Sequence, residues 1–239
     1  MVYLGRVVGI GITESGRSFV VYGVSGRSEA SRQRKAVPYR TRVAIEPLGQ
    51  PTEEQRQQAA LLTYNAIKVF NGVTSEFYYW PYAIVSNGRH TNSLDHVCSQ
   101  RSSDDTDGFR KALKRWGPEP DRYNTPRIMA VKSLCGVSDI GLITQPNKPR
   151  IITVLDDREP RGKTLTISTY SGDTTEPEAS RFSRVRDIIR KVPLRGDTAQ
   201  ELAESFFEWM DPQFVVSTAS AVWVDEKERW QLAVRNLYS

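Results

Sequence analysis

The sequence predicts an α/β protein of the α+β kind, with mainly antiparallel sheets packed against helices. Three observations predict this. Short apolar, β-branched stretches broken by turn residues dominate the first half. Helical periodicity comes only in isolated blocks. The elements run strands, helices, strands, helices, without the regular alternation that builds a doubly wound parallel sheet. A four-layer α-β-β-α sandwich fits this order, although periodicity alone does not select it.

Residues 2–12 and 17–24 read as two strands of a hairpin joined by the turn Thr13, Glu14, Ser15, Gly16. Residues 41–47 form the next strand. Residues 51–60 open on Pro51, Thr52, Glu53 and Glu54 and read as a short helix. Strands over 61–70 and 80–86 follow, with Asn71 and Gly72 in the gap between them. The period then changes to helical over 92–100 and 105–116. In the second block Phe109, Leu113 and Trp116 recur at helical spacing, Asp104, Asp105 and Asp107 favour the positive helix end, and Gly117 and Pro118 stop it. Strands resume over 127–131, 140–144, 150–155 and 164–170. Residues 180–191 and 198–210 read as helices, the second with Leu202, Phe206 and Trp209 on one stripe, and 215–224 as a last strand. With no internal repeat, and only 158–163 resembling a linker, residues 1–239 read as a single domain.

Composition narrows the function classes. The chain has 239 residues, 38% apolar and 26% charged, as expected for a globular protein with a sizeable core. The net charge is +5 and the pI about 9.2. Positive residues come in short clusters, Arg32, Arg34 and Lys35 and then Arg181, Arg184, Arg186, Arg190 and Lys191, interleaved with acids. They read as solvated surface rather than a nucleic-acid stripe, which would be denser. Two cysteines, Cys98 and Cys135, and two histidines, His90 and His96, imply neither a disulfide framework nor a zinc site. Without a signal-peptide pattern or an apolar run near the roughly 18 residues of a membrane span, a cytoplasmic, membrane-free protein is expected.

Common phosphate and nucleophile motifs fail on spacing. Gly162, Lys163 and Thr164 invite a phosphate-loop reading, but Asp157 stands where the loop needs its first glycine. The Gly5, Gly9, Gly11 and Gly16 series lacks dinucleotide spacing, and there is no Gly-x-Ser-x-Gly elbow. What remains is four polar islands among the strands. Residues 25–32 hold Arg27 and Arg32; Tyr64 and Asn65 form the second; Ser86, Asn87, Gly88, Arg89, His90 and Thr91 the third; and residues 119–127, with Glu119, Asn124 and Arg127, the fourth. Small polar residues beside Arg at strand ends suit phosphate and hydroxyl groups. Singly, each has a plainer reading: an ordinary turn, a core tyrosine, a solvated loop acid.

Together the islands resemble one family. Ser25-Gly26-Arg27-Ser28 with Arg32, Thr63-Tyr64-Asn65-Ala66-Ile67-Lys68, Val85 through Thr91, Asn124-Thr125-Pro126-Arg127-Ile128 and Ile167-Ser168-Thr169-Tyr170 follow the order of the archaeal-type inosine monophosphate (IMP) cyclohydrolases. Tyr3 through Arg6 and Ser217-Thr218-Ala219 resemble that family's two ends. The resemblance implies a four-layer fold like that of the N-terminal-nucleophile hydrolases, without their chemistry, since residue 2 is Val. It also implies a purine nucleotide substrate, no metal or other cofactor, and assembly into a homo-oligomer, a tetramer in the family.

The family's active-site Arg, Tyr and Glu fall on Arg32, Tyr64 and Glu119. In the chemistry expected there, Arg32 polarises the formyl or carboxamide oxygen of the substrate, while Glu119 and Tyr64 move protons in roles that the sequence leaves interchangeable. Arg27, Asn65, Ser86, Asn87, Gly88, Asn124 and Arg127 are expected to hold base, ribose and phosphate. The chain departs from the family where Gly23, not Arg, follows Tyr22, and where Glu29-Ala30-Ser31 replaces Phe-Pro-Asn. Arg89 and Lys68 are candidate substitutes for the missing Arg. Gly23 is also the feature that keeps a second reading open, a nucleotide-binding relative that has lost the cyclisation.

Overall fold

A computed structural model describes residues 3–50, 63–72, 80–92, 106–119, 125–144, 148–155, 160–170 and 189–238. The helices expected over 51–60 and over most of 92–100 lie outside the described residues, as does most of the one over 180–191.

The chain opens with the expected hairpin, β1 (Arg6–Ile12) and β2 (Ser18–Ser25), closed by a turn in which the Thr13 N–H donates to Arg17 O at 2.9 Å. A short helix α1 (Glu29–Arg32) leads into β3 (Arg34–Pro38), β4 (Arg42–Pro47), β5 (Tyr64–Phe70) and β6 (Tyr82–Ser86). Helix α2 (Thr106–Trp116) precedes β7 (Arg127–Ser133), β8 (Val137–Thr144), β9 (Lys148–Leu155), β10 (Lys163–Ser168) and β11 (Arg190–Pro193). Helix α3 (Ala199–Trp209), β12 (Val215–Val224) and β13 (Arg229–Asn236) complete the order.

The strands form two antiparallel sheets. One has six strands in the order β11-β10-β1-β2-β12-β13; the other has seven, β3-β4-β5-β6-β7-β8-β9. Period-two alternation assigns each strand two faces. Val8, Ile10, Val20, Tyr22 and Val24 of the first sheet meet Ile45, Tyr64, Ala66, Ile128, Ala130 and Ile140 of the second in one continuous apolar core. The alternate residues Val7, Phe19 and Val21 face away from that core and pack on Leu202, Phe206 and Met210 at α3. On the far side of the second sheet, Ile84, Met129, Val131 and Ile143 pack on Phe109 and Leu113 of α2. Helix α3 begins with a capping box: the Thr198 side chain accepts from the Glu201 N–H, and the Glu201 carboxylate accepts from the Thr198 N–H.

The structure corrects three readings. Residues 34–38 form β3, and Arg34, on the same side of the strand as core residue Ala36, is 4% exposed rather than solvated. Residues 215–224 are not the last strand, because β13 follows after a short turn in which Glu228 is left-handed, with φ of 46°. Arg190 and Lys191, expected in a helix, lie in β11 and pair with β10. In each case polar residues mark one exposed face or edge and conceal the strand period.

Gly23 lies on the α3 side of β2, opposite the face carrying Tyr22 and Val24. A Cβ there would collide with Met210 Sδ and stand 3.1 Å from Phe206. Gly23→Arg is therefore expected to lower Tm by roughly 5 °C or more, as overpacking costs about 1–3 kcal/mol or above. A thermal melt equal to that of the unaltered chain would show that α3 yields freely.

Candidate active site

The site starts at Gly5. Its φ of +68° suits glycine, and a Cβ would run into Thr169 Oγ1 and the ring of Tyr170. This close approach lets the Arg6 N–H donate to Thr169 Oγ1 at 3.0 Å and starts β1 with Arg6 on the same face as Val8 and Ile10. The Arg6 guanidinium thus enters the space between the sheets. Its Nη1 donates to Glu119 Oε2 at 2.8 Å, and its Cζ lies 6.0 Å from the Tyr64 ring centroid. Burial alone would weaken the Arg6 charge; the Glu119 carboxylate, with the phenols of Tyr64, Tyr22 and Tyr170, holds its pKa well above the usual value.

Glu119 arrives from the other sheet's helix. The Gly117 N–H donates to Leu113 O at the end of α2, in the left-handed conformation with φ of 61°, and the Glu119 N–H donates to Thr125 O at 2.9 Å. The carboxylate is 2% exposed, and its second oxygen lies 3.9 Å from Arg127 Nη1. Arg127 shares its strand face with Met129 and Val131 and stands 5.6 Å over the Trp116 ring. One buried carboxylate is thus held between two guanidiniums, a net positive centre suited to an anionic ligand.

Tyr64 begins β5 on the inner face. Its hydroxyl shares a hydrogen bond with that of Tyr22, and the two rings meet edge to face at 6.3 Å. Tyr22 is wholly buried; burial first, and then the neighbouring Tyr64, push its pKa well above the ordinary phenol value against the opposing charges of Arg6 and Arg34. Beside this centre, Thr125 Oγ1 and the Tyr170 hydroxyl are hydrogen bonded at 2.6 Å.

The turn over 86–91 is built by its own side chains. Asn87 Nδ2 donates to Pro126 O at 2.9 Å, and Asn87 Oδ1 accepts from the Ile128 N–H at 2.8 Å. Ser86 and Thr91 share a hydroxyl hydrogen bond, and Thr91 Oγ1 also lies within donating distance of Asn65 O and Gly88 O. Asn87 therefore fastens the turn to β7, while Ser86 ties the turn to itself. Gly88 is bare for a reason: a Cβ would stand 2.7 Å from Arg127 Nη1 and 3.5 Å from Glu119 Oε1. His90 is 1% exposed, and neither ring nitrogen has a hydrogen-bond partner among the described residues. Burial, then the charge of Arg127, drives its pKa down to about 3; the Ile128 backbone opposes this without forming a well-shaped hydrogen bond.

The other expected residues lie apart from this centre or outside the described chain. Arg32 donates from Nε to Gly26 O at 3.2 Å and from Nη2 to Gln213 O at 2.8 Å, which holds it on the loop before β12. The Arg27 guanidinium lies 4.9 Å from the Tyr3 ring centroid. Asn65 donates to Asn92 Oδ1 and lines a cleft of about 520 Å³ with Arg42, Glu46, Tyr64, Arg89, Asn92 and Trp116. Asn124 lies outside the described residues. Sequence reasoning missed Arg6, Tyr22, Arg34 and Tyr170 as site residues. Arg6 and Tyr170 stood inside quoted motifs, and Tyr22 followed the inward period of its strand. Nothing local marked Arg34. Among the described residues no group of three or more His, Cys, Asp and Glu side chains is placed to hold a metal ion. No helix there is long and apolar enough to cross a membrane.

A sheet-rich α+β protein that seals a carboxylate, a phenol pair and guanidiniums into one centre has the equipment of an acid–base enzyme for an anionic substrate. The comparisons give the family. The family model described as IMP cyclohydrolase-like protein matches residues 3–228, and the chain belongs to that family. An IMP cyclohydrolase of Methanococcus maripaludis is 34% identical over 93% of this chain and 96% of its own. Those of Methanocaldococcus jannaschii and Methanosphaera stadtmanae are 27% and 25% identical, covering 92% and 98% of this chain and 93% and 99% of theirs. Among solved structures, Anbu from a Hyphomicrobium species aligns over 98% of this chain and 88% of its own at 13% identity, with a TM-score of 0.41.

His90 makes a stability prediction. Folded, it stays neutral down to about pH 3, whereas the unfolded chain takes up the proton near 6.5. Between these values the unfolded state binds more protons, so stability falls as pH drops below 6.5, by up to about 1.4 kcal/mol per unit. His90→Gln should flatten that fall. Melts at pH 7 and pH 5 that drop equally in both proteins would contradict the burial argument.

Proposed function

We propose that this chain is an IMP cyclohydrolase that closes the purine ring at the centre formed by Arg6, Tyr64, Glu119 and Arg127. The observation that carries the site assignment is that Tyr64 and Glu119, far apart in sequence and both from the second sheet's side, converge on the one guanidinium of Arg6 from the first sheet. The substrate is a formamido-imidazole-carboxamide ribonucleotide. Its carboxamide nitrogen attacks the neighbouring formyl carbon, a carbinolamine forms, and water leaves with the formyl oxygen and two hydrogens from the nitrogens. Both reacting groups sit on one ring, so holding them in the attacking rotamer supplies much of the acceleration.

Glu119 accepts the proton of the attacking amide, with Arg6 and Arg127 fixing its two oxygens. Tyr64 gives its proton to the departing hydroxyl. Arg6 stands beside the developing oxyanion without rearrangement, whereas Arg32 reaches substrate only after releasing the carbonyls of Gly26 and Gln213. Arg127, Arg27, Arg89 and Asn65 serve nucleotide binding, with Asn124 as a further contact; Ser86, Asn87 and Gly88 shape the wall through the turn they build. The position of Gly23 under α3 takes away the reason for a non-catalytic reading, since a side chain there would not reach Tyr22's face.

The rest of the reading follows the family. Helices on the outer faces of two stacked sheets support a four-layer α-β-β-α sandwich like that of the N-terminal-nucleophile hydrolases, built as one domain. Purine biosynthesis points to a cytoplasmic enzyme, working as a homo-oligomer without a metal.

The direct test mixes protein and formylated ribonucleotide without added metal and follows the absorbance of the hypoxanthine nucleotide. A flat trace would sink the proposal. Glu119→Gln is expected to lower kcat by about 100-fold or more. Gly88→Ala should push the flexible end of Arg127 from Glu119, lowering kcat about tenfold or more with Tm nearly unchanged. Full turnover in either variant would remove the corresponding role.

A further inference from the structure

Tyr22 has no part in the chemistry assigned above, yet its hydroxyl is the hydrogen-bond partner of Tyr64's. It is wholly buried, and its ring lies against Tyr64 at an interplanar angle of 79°. Arg34, on the inner face of β3, is 4% exposed. Its Nε donates to Ser31 O at 2.8 Å, while its Nη1 is buried without any hydrogen-bond partner among the described residues. No carboxylate among those residues pairs with it. A buried guanidinium left in this state costs stability that an apolar side chain of similar size would not. Folding alone does not explain it, whereas a need for positive charge beside the phenols does.

We propose that Tyr22 is a positioning residue for Tyr64, a second phenol that directs the first and shares its charge, with Arg34 as the counter-cation built into the fold. The idea rests on the ring-closing reading above. To protonate the substrate, Tyr64 must point its own O–H outward, so its oxygen accepts the O–H of Tyr22. When the Tyr64 O–H breaks, its proton goes to the formyl-derived hydroxyl, the C–O bond breaks and water leaves. The phenolate is held by the Tyr22 hydrogen bond, with the guanidinium of Arg6 near the Tyr64 ring and that of Arg34 acting on Tyr22. Glu119 passes the first amide proton to the formyl oxygen to make the departing hydroxyl, takes the second N–H proton as water leaves, and returns it to Tyr64, so no outside reagent is needed. Among the described residues the charged groups acting on the pair are Arg6 and Arg34, and Arg6 in turn faces Glu119 and Tyr170. The two guanidiniums outnumber the single carboxylate, and that carboxylate is already held by Arg6 and Arg127. The raised pKa of Tyr22 agrees with its role as the proton-keeping member.

The test uses Tyr22→Phe, which keeps the ring and removes only the hydroxyl, and Arg34→Met with Arg34→Lys as its conservative counterpart. Tyr22→Phe and Arg34→Met are expected to lower kcat about tenfold or more while KM stays within about threefold, and Arg34→Lys should recover most of the loss. Arg34→Met should melt no lower than the unaltered protein, which separates charge from folding. A second measurement needs no turnover. The tyrosinate absorbance of the unaltered protein minus that of Tyr64→Phe isolates the pair, and the same difference in the Tyr22→Phe and Arg34→Met backgrounds should move to higher pH. An unmoved titration, or wild-type kcat in Tyr22→Phe, overturns the proposal. If the titration moves while the unaltered protein makes no hypoxanthine nucleotide, the phenol pair stands and the ring-closing reading fails.

Discussion

The buried pairing of Glu119 with Arg6 is the constraint around which the rest of the site is arranged. A carboxylate exposed by only 2% is tolerable only where cations and hydrogen bonds replace water. Arg6 meets that need from the first strand of one sheet, and Glu119 comes from the end of the helix that covers the other. The pair therefore joins the two sheets, and in the proposed ring closure it sets the carboxylate where the chemistry needs one. It also requires a bare backbone at Gly5, where Thr169 and Tyr170 close in, and at Gly88, where Arg127 passes.

Behind that pair the inner faces of the sheets do two jobs. Over most of their area they are apolar, from Val8 and Ile10 to Ala130 and Ile140. At one end the same alternation delivers Tyr22, Arg34 and Tyr64 in place of apolar residues. The period that builds the core also aims the polar groups, so no separate scaffold is required. The cost is that several polar atoms are sealed from water, including Arg34 Nη1 and both nitrogens of His90. Unpaired groups of this kind concentrate where a fold gives up stability for a site.

The polar islands divide into those that fasten backbone and those that border the cleft. The turn with Ser86, Asn87 and Thr91 uses its side chains on neighbouring backbone, and Arg32 likewise holds two carbonyls. Such residues have the composition of a binding motif while serving as fasteners for the strands that carry the site. Tyr64 and Asn65 differ, since both border the open cleft beside Arg89 and Trp116.

The sequence by itself determined the strands of the hairpin, the stripe of Leu202 and Phe206, and the family, because alternation, capping and ordered motifs are local signals that survive in one dimension. It also singled out Tyr64 and Glu119. It did not reveal that Arg34 is buried while Arg32 turns to backbone, that Gly23 faces α3, or that Arg6 and Tyr22 gather on Glu119 and Tyr64. Those outcomes depend on which strands pair and which faces meet, for a one-residue change of register exchanges the inner and outer faces of a strand. Neighbouring arginines carry the same charge in the chain; only sheet stacking decides which of them loses its water.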